Sequence, residues 1–470
     1  MSSTVTAAPA SAPARLPTRL VGSIAFGTLL QALNSSMIAV ALVGIRTHFH
    51  AGAEASWLVS ALYLATAVGA PTMGRLADLV GARRVFLAGL VLVAVASVAA
   101  PFAPNLGVLI GCRVLLGLGT AAQYPAGVAM VRMAADASRR RGVRTASALG
   151  ILAICSQTAV AFGPTLGGVL VGGFGWQSIF LVNLPFVAVG AACVLRWGPA
   201  GTPRAARTVG GPDRGAARAL RRLDPGGLAL FAGTMTALML FLLSLSETPH
   251  WWLVPVVVAL GAALVYWELR VAEPFLDVRL LGRNRALTGT YLRTALTYVA
   301  FYAIFYGVPS WLEQGRGLTA ANAGLVVLPI AGLGVFATLA ATRLVRTRGP
   351  RLPLLFGSAG LLVGGVVLAT VVHASTPVVA LLAVSAVLGL PNGFNNMGNQ
   401  TSMYAAAPAD ATGAASGLYR TSQYVGANLA AVLIELLSAG VPADTGLHRL
   451  GLSVAAIAAV LLLGTLLRRR

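Results

Sequence analysis

Charged side chains are rare inside the apolar stretches of this sequence, so each one found there is a candidate for chemistry. Arg113 lies within an apolar run, and Glu435 is the only carboxylate well inside one. Charge at membrane depth is costly and normally faces a protein interior or a water-filled cavity. A carboxylate deprived of water binds a proton more readily, so Glu435 could carry one. Alternatively, Glu435 ends a span and simply reaches water, and Arg113 ties its helix to the carbonyls of a neighbour.

Amide side chains form a second group with possible chemistry. Asn392, Asn395, Asn396 and Asn399 follow the spacing i, i+3, i+4, i+7, which places them on one face of a helix. Lipid would leave these amides without hydrogen-bond partners, so the stripe must face protein or water. It either joins helices to one another or lines a cavity that holds a substrate by neutral hydrogen bonds.

Further polar and aromatic residues recur at helical spacing in other apolar runs. The rings between 298 and 305 could equally be packing residues, but an apolar cavity with a few polar groups is what lipophilic ligands require. The predicted cavity residues are Gln31, Asn34, Thr120, Tyr124, Tyr298, Tyr302, Asn392, Asn395, Asn396 and Asn428.

The composition identifies the elements that must position these residues. Of the 470 residues, 57% are hydrophobic and 10% are charged, and the mean hydropathy is +0.81. No ordinary soluble domain has this composition, so the chain is predicted to be an all-α polytopic membrane protein. The formal charge of +21 does not indicate a nucleic-acid partner, because the arginines flank apolar runs. We find no catalytic motif, no phosphate loop and no metal-type spacing, and therefore expect no enzyme, cofactor or metal.

About 20 apolar residues cross a bilayer as a helix, and the sequence contains about fourteen such runs. The predicted spans 1 to 14 are 20–45, 55–73, 85–103, 106–131, 145–171, 178–195, 226–245, 251–267, 287–308, 323–341, 352–372, 377–399, 413–439 and 447–467.

The arginines predict the orientation, because cytoplasmic loops carry an excess of positive charge. All 34 basic residues are arginines. With both termini cytoplasmic, 28 of them fall in cytoplasmic loops and tails, and only Arg46, Arg316 and Arg449 fall in outside loops. The remaining three, Arg113, Arg293 and Arg420, lie within spans. We therefore predict a multi-pass protein of the cytoplasmic membrane with both ends inside.

An internal repeat divides the chain into related halves. Aligning Arg75 with Arg343 also aligns Gly81 with Gly349. Parallel halves around a midplane site are a known transporter arrangement. The predicted segments are a disordered tail (1–19), an N-terminal six-helix half (20–195), a basic linker (196–224), two inserted helices (225–267), a loop (268–286), a C-terminal six-helix half (287–467) and a basic end (468–470).

The stretch after span 2 carries the clearest motif. It reads G-x-L-x-D-x-x-G-x-R-R from Gly74 to Arg84. Its glycines permit a tight turn against a neighbouring helix, and Asp78 is placed to meet a helix N-terminus or an arginine. The pattern resembles the loop after helix 2 of the major facilitator superfamily.

Other motifs extend this resemblance along nearly the whole chain, and the 6+2+6 arrangement resembles the 14-span drug:proton antiporter branch. The stretches concerned are 33–42, 109–119, 163–168, 176–185 and 413–417. Departures are Asn34, where the family usually has an acid, Leu116, where it usually has glutamine, and Gln423, where it usually has an arginine; Arg420 stands one turn earlier. The acid missing at position 34 weakens any expectation of cationic substrates.

The resemblance implies a major facilitator fold and assigns roles to several residues. It implies that Arg113 modulates protonation or substrate release. Our candidate proton carrier is Glu435, with a mouth residue such as Glu313 as the alternative. The resemblance also implies a gating loop and an antiporter motif of small residues that blocks proton leak, with ordinary packing as the alternative. These residues are Gly74, Asp78, Gly81, Arg83 and Arg84 for the loop, and Gly163, Pro164, Gly167 and Gly168 for the motif.

The sequence thus predicts proton-coupled efflux of small lipophilic compounds or drugs by alternating access. The expected partners are that substrate, protons and membrane lipid, with a monomer as the default state. One alternative is an exporter of a single metabolite or biosynthetic product. Another is a membrane sensor that kept the fold without transporting.

Overall fold

The computed structural model describes residues 18–51, 53–137, 146–199, 224–245, 249–272, 274–318, 320–409, 411–438 and 440–467. The regular elements in these ranges are all helical. Almost all of the predicted terminal tails and most of the predicted linker lie outside the described residues, so those boundaries remain predictions.

The described chain forms α-helices that we number in order, together with two short 3₁₀ helices at Ala53–Ser56 and Ala100–Phe102. The α-helices are α1 Thr18–Phe49, α2 Trp57–Val80, α3 Ala82–Ala99, α4 Leu106–Ala121, α5 Gln123–Ala137, α6 Ala146–Phe174, α7 Ser178–Leu181, α8 Asn183–Trp197, α9 Pro225–Ser244, α10 Leu253–Glu268, α11 Val278–Arg283, α12 Arg285–Arg316, α13 Ala320–Arg348, α14 Arg351–Thr370, α15 Val378–Ala406, α16 Thr412–Ser438 and α17 Ala443–Leu466.

Each predicted span coincides with helical structure. Span 4 corresponds to α4 followed by α5, span 6 to α7 followed by α8, and every other span to one helix. Among the described residues, eleven helical stretches are long and apolar enough to cross a membrane. The prediction of an all-α polytopic membrane protein is confirmed, and the number of fourteen crossings remains a prediction.

Local sequence signals mark several helix ends. Asn105 precedes α4 and accepts a hydrogen bond from the backbone N–H of Val108 at 2.9 Å. Asn284 caps α12 in the same way through the N–H of Leu287, at 3.0 Å. Asparagine is a favoured N-cap because its side chain satisfies one of the free N–H groups of the first turn.

The predicted loop after span 2 is mostly helix. α2 continues to Val80 and α3 begins at Ala82, so Gly81 alone makes the turn. Its φ of 108° is a conformation that residues with a β-carbon rarely adopt. Gly349, its partner in the internal repeat, has a φ of 75° between α13 and α14. Gly74, in contrast, lies inside α2 and serves a close helix contact rather than a turn.

The helices pack as two bundles that meet along a seam. In the N-terminal bundle, α1 packs on α6 and α8, and α4 packs on α2 and α3. In the C-terminal bundle, α13 packs on α15, α14 on α15 and α17, and α12 on α16 and α17. Across the seam, α2 contacts α16 and α6 contacts α13. The inserted helix α9 packs on α10 and also contacts α2 and α16.

Candidate functional site

A cavity lies on the seam between the two bundles. Helices α1, α2, α5 and α6 line it from one side, and α12, α15 and α16 from the other. Its volume of about 80 Å³ is far below the roughly 300–1,000 Å³ of a pocket for a drug-sized ligand. The bundles must therefore separate before such a ligand can enter.

The wall of the cavity combines aromatic rings with amide groups. The lining side chains are those of Thr28, Gln31, Ala32, Ser35, Tyr63, Tyr124, Leu152, Tyr298, Phe301, Tyr302, Asn396, Gln400, Arg420, Gln423 and Tyr424. Five predicted cavity residues are thus brought together here: Gln31, Tyr124, Tyr298, Tyr302 and Asn396. The predicted ring stripe of α12 forms an edge of this wall, with the centroids of Tyr298 and Tyr302 5.9 Å apart.

Hydrogen bonds cross the cavity between the bundles. The Nε2 of Gln400 donates to the hydroxyl of Tyr124 at 2.6 Å. Within the C-terminal bundle, the hydroxyl of Tyr419, buried behind the wall, donates to Oδ1 of Asn396 at 3.3 Å. The guanidinium of Arg420 lies 3.9 Å from the ring centroid of Tyr124, within the range of a cation–π contact.

The structure places Asn34 away from the cavity wall. It forms a buried amide pair with Asn183 of α8, with N···O distances of 2.7 and 3.1 Å. Asn183 also donates to Oγ of Ser97 at 3.0 Å. Asn34 therefore joins α1 to α8 within the N-terminal bundle, where the sequence analysis expected a cavity residue.

Other predicted cavity residues also have partners outside the cavity. Thr120 is fully buried and its hydroxyl donates to the carbonyl of Gly117 at 3.1 Å. The amide of Asn428 donates to the backbone carbonyl of Tyr424 at 2.9 Å. Neither residue is among those that line the cavity.

The sequence left two roles open for the amide stripe of α15, cavity lining and helix–helix contact, and the structure shows both. Asn396 lines the cavity, whereas Asn399 accepts a hydrogen bond from Nε of Arg293 at 2.6 Å and joins α15 to α12. Asn395 is buried against Gly357 of α14. Asn392 is also buried, and it is not part of the cavity wall.

Arg113 is 1% exposed and contacts backbone carbonyls of two neighbouring helices. Its Nε donates to the carbonyl of Leu58 at 2.8 Å, and its terminal nitrogens donate to the carbonyl of Asn34 at 3.3 and 3.4 Å. These are the contacts expected if Arg113 ties its helix to the carbonyls of a neighbour. They tie α4 to α1 and α2 beside the amide pair.

Glu435, the other predicted proton-coupling residue, lies in the last part of α16. Its side chain is outside the described part of the chain, as is that of Pro164 in α6. The prediction for Glu435 is therefore not tested by any contact.

The carboxylate of Asp78 meets the N-terminus of α16, one of its two predicted partners. It accepts hydrogen bonds from the backbone N–H groups of Gly413 and Ala414, both at 2.9 Å. A carboxylate is stabilised there by the free N–H groups and the positive end of the helix dipole. This contact joins the bundles at what we call the Asp78 end.

Glycines let the two helices approach closely at this end. A β-carbon added at Gly74 would collide with the backbone of Gly413, and one added at Gly417 would collide with that of Ala70 and Pro71. The remaining members of the predicted gating loop contact other parts of the chain or solvent. Arg83 donates to the carbonyl of Leu195 at 2.5 Å, and Arg84 is exposed.

The predicted antiporter motif lies on α6, where α6 packs against α1. A β-carbon on Gly163 would collide with Ser36, and one on Gly167 would lie 3.2 Å from Cα of Met37. One on Gly168 would meet nothing within 4 Å. Close helix packing thus requires the first glycine strictly and does not require the last.

Several residues at the seam were not predicted from the sequence. Arg132 donates to the carbonyl of Ala407 at 3.1 Å and to the hydroxyl of Thr412 at 3.0 Å, at the Asp78 end. Gln400 and Gln423 complete the cavity wall. Gln400 lies four residues after Asn396, so extending the amide stripe by one position would have found it. No sequence signal marks Arg132, because arginines are common at the ends of spans.

Comparison with known proteins gives the family. The chain matches the model of the Major Facilitator Superfamily over residues 24–431. It is 36% identical to the uncharacterized MFS-type transporter YwoD of Bacillus subtilis, over 88% of this chain and 89% of that protein. It is 29% identical to the multidrug efflux pump LfrA of Mycolicibacterium smegmatis, over 88% and 80% of the two chains.

Two further matches agree with this result. The tetracenomycin C resistance and export protein of Streptomyces glaucescens is 27% identical over 92% of this chain and 78% of that protein. The crystal structure of the human organic anion transporter MFSD10 (TETRAN) superposes with a TM-score of 0.63 at 13% identity, covering 94% of this chain and 99% of that one; this likeness concerns the fold alone. The chain therefore belongs to the major facilitator superfamily and is a multi-pass membrane transporter of small molecules, not an enzyme.

Proposed function

We propose that this transporter exports small lipophilic compounds across the cytoplasmic membrane in exchange for protons. We place it in the 14-span drug:proton antiporter branch, as a monomer with both termini in the cytoplasm. The 6+2+6 order of apolar runs and the distribution of arginines support this assignment. The multidrug and export proteins among its relatives also support efflux as the direction of transport.

The observation that carries the proposal is the cavity on the seam. Aromatic and amide side chains from both bundles line it, and it is too small for a drug-sized ligand in this conformation. Asp78 and Arg132 hold the bundles together at one end. Alternate opening of the two ends would expose the same wall to each side of the membrane, as in other transporters with paired halves.

Within this proposal the predicted residues keep distinct roles. Asp78, with the glycines of its loop, closes the cytoplasmic end. Arg113, which joins α4 to α1 and α2, modulates protonation or substrate release, and Glu435 is the candidate proton carrier. The tight contact of α1 with α6 at Gly163 limits the space through which protons could leak.

The test is substrate-induced proton movement in inside-out membrane vesicles that contain the protein. A pH gradient is generated by respiration and followed with a pH-sensitive dye while lipophilic cations, neutral compounds and anions are added in turn. We expect transported compounds to dissipate part of the gradient. No dissipation by any compound, in vesicles whose gradient a protonophore still collapses, would contradict the proposal.

Substitution of Glu435 tests the proton carrier in the same assay. Glu435→Gln should abolish substrate-induced proton movement while leaving the amount of protein in the membrane unchanged, because glutamine cannot exchange a proton. Glu313→Gln tests the alternative carrier, and the matched control is Glu54→Gln, which changes an exposed glutamate of the 3₁₀ helix Ala53–Ser56. Wild-type proton movement in Glu435→Gln would remove this residue from the mechanism.

The main alternative is export of a single metabolite. The polar groups of the cavity wall favour a selective site. The same panel separates the two, because a multidrug transporter responds to several unrelated compounds. Proton movement with only one chemical class would favour the selective exporter.

A further inference from the structure

The cavity wall carries one uncompensated positive charge. Arg420 is the only charged residue among the side chains that line the cavity in the described part of the chain. Arginine stays protonated under all ordinary conditions. A buried charge is costly unless an opposite charge or several hydrogen bonds compensate it, so Arg420 requires an explanation.

The protein satisfies this guanidinium only in part. One terminal nitrogen donates to Oε1 of Gln423 at 3.0 Å, and the plane lies over the ring of Tyr124. The Nε is buried and has no hydrogen-bond partner. Glu435, on the same helix, lies fifteen residues further on, about 22 Å at 1.5 Å per residue, which is too far to neutralise Arg420.

The surrounding groups are neutral and complete a binding site. The Oε1 of Gln400 is also buried without a partner, and Tyr298, Phe301 and Tyr302 form an aromatic wall opposite the bundle that carries Tyr124. Such rings favour flat aromatic ligands through offset or edge-to-face contacts. A guanidinium whose Nε is free to donate a hydrogen bond can bind a carboxylate or an ionised phenol.

We propose that Arg420 is the recognition residue of this cavity and that it selects flat aromatic compounds carrying one negative charge. This assignment rests on the proposed export function for its role in the cell. Lipophilic cations would meet an unneutralised arginine in a low-dielectric cavity and be repelled. Neutral analogues would lose the charge-assisted hydrogen bond, which contributes more than a neutral one.

The test uses three probes with the same ring system: 2-naphthoate, 2-naphthylmethanol and 2-naphthylmethylammonium. Their dissociation constants are measured from ligand-induced thermal stabilisation of the purified protein. We expect naphthoate to bind wild type at least tenfold more tightly than the alcohol, and the ammonium probe to bind most weakly. Equal affinities for the three probes would overturn the proposal.

Two variants connect the selectivity to Arg420. Arg420→Gln should lower naphthoate affinity about 10- to 100-fold, as expected for loss of a hydrogen bond to a charged group, while the exposed Arg449→Gln leaves it unchanged. Gln423→Glu supplies an internal carboxylate 3.0 Å from the guanidinium in nearly the same shape, so it should also weaken naphthoate binding and admit the ammonium probe. It serves as the test if Arg420→Gln does not fold.

Binding and transport are measured in separate experiments. Arg420-dependent naphthoate binding without any proton-coupled flux would leave the anion site standing and contradict the export function. Proton-coupled flux of cations and anions alike, unchanged in Gln423→Glu, would leave the export function standing and overturn the anion site.

Discussion

At the scale of single residues, a network of buried polar groups joins helices of the N-terminal bundle. Arg113 and Asn34 stand out as polar residues in apolar runs, and the structure shows both in one buried network with Asn183. The sequence could not predict this pairing, because Asn34 and Asn183 are 149 positions apart. Helical periodicity predicts which face of a helix a residue occupies, but it does not predict which residue of another helix it contacts.

A buried carboxylate pair at the end of the inserted helices leads to a pH prediction. Glu268, the last residue of α10, lies beyond predicted span 8, is 1% exposed and accepts a hydrogen bond from the N–H of Leu276 at 3.1 Å. Its pKa is raised from 4.5 to about 7. Loss of water is the main cause and the neighbouring Asp224 adds to it, whereas the N–H of Leu276 and the charge of Arg75 oppose the shift.

The sign of the effect follows from this raised pKa. Below pH 4.5 the carboxyl is protonated in both folded and unfolded chains, so its full stabilising contribution is present. As pH rises, the unfolded chain releases the proton first, and stability falls until the folded group also titrates near pH 7. Glu268→Gln should therefore come closest to the melting temperature of wild type at pH 5 and exceed it most at pH 8.

Thermal unfolding of the purified protein at pH 5, 6, 7 and 8 checks this prediction. The control is Asp277→Asn, an exposed position where either residue caps α11. A Glu268→Gln variant that is less stable than wild type at pH 8 would show that the carboxylate is ionised and held by its partners.

At the scale of elements, the apolar runs predicted where helices lie but not where they end. α2 extends seven residues beyond predicted span 2, because polar residues continue a helix whose backbone hydrogen bonds are already formed. The length of an apolar run reflects the thickness of the bilayer. The position of the turn between α2 and α3 is instead set by Gly81, whose φ is positive. The sequence showed the glycine, but it did not predict that Gly81 alone connects α2 to α3.

The contact of α1 with α6 gives a prediction with a matched pair of substitutions. Gly163→Ala should lower the melting temperature and transport, because the new methyl group would collide with Ser36. Gly168→Ala should be neutral or stabilising by up to about 1 kcal/mol, since alanine favours a helix and the site is open. Thermal unfolding and substrate efflux of both variants test this; equal loss in the two would contradict the packing explanation.

At the scale of the whole molecule, the repeat in the sequence anticipated the two bundles, and the loop motif anticipated that Asp78 meets a helix end. The cavity was only partly predictable. Five of the ten predicted residues line it, because each helix exposes polar groups on more than one face and only the assembled seam decides which of them meet. No role was predicted for Arg420, yet among the described residues it supplies the one charge of the cavity wall.

The contact of Asp78 with α16 predicts the behaviour of the seam. Asp78→Asn removes the negative charge and turns one of the two acceptor positions into a donor that faces an N–H group. We expect a weaker closed state, seen as faster maleimide labelling of a cysteine placed at Ala415, which is 4% exposed. The native cysteines, Cys112, Cys155 and Cys193, are first replaced. Wild-type labelling and turnover in Asp78→Asn would count against a latch.

The most direct measurement is the distance between the bundles at the Asp78 end during transport. Spin labels are placed on the exposed positions Arg84 of α3 and Arg351 of α14, and their separation is measured in lipid at pH 5.5 and pH 8, with and without a transported compound. Alternating access predicts two separations whose populations change with pH and with the compound. A single separation that responds to neither, in protein that still transports, would contradict the account.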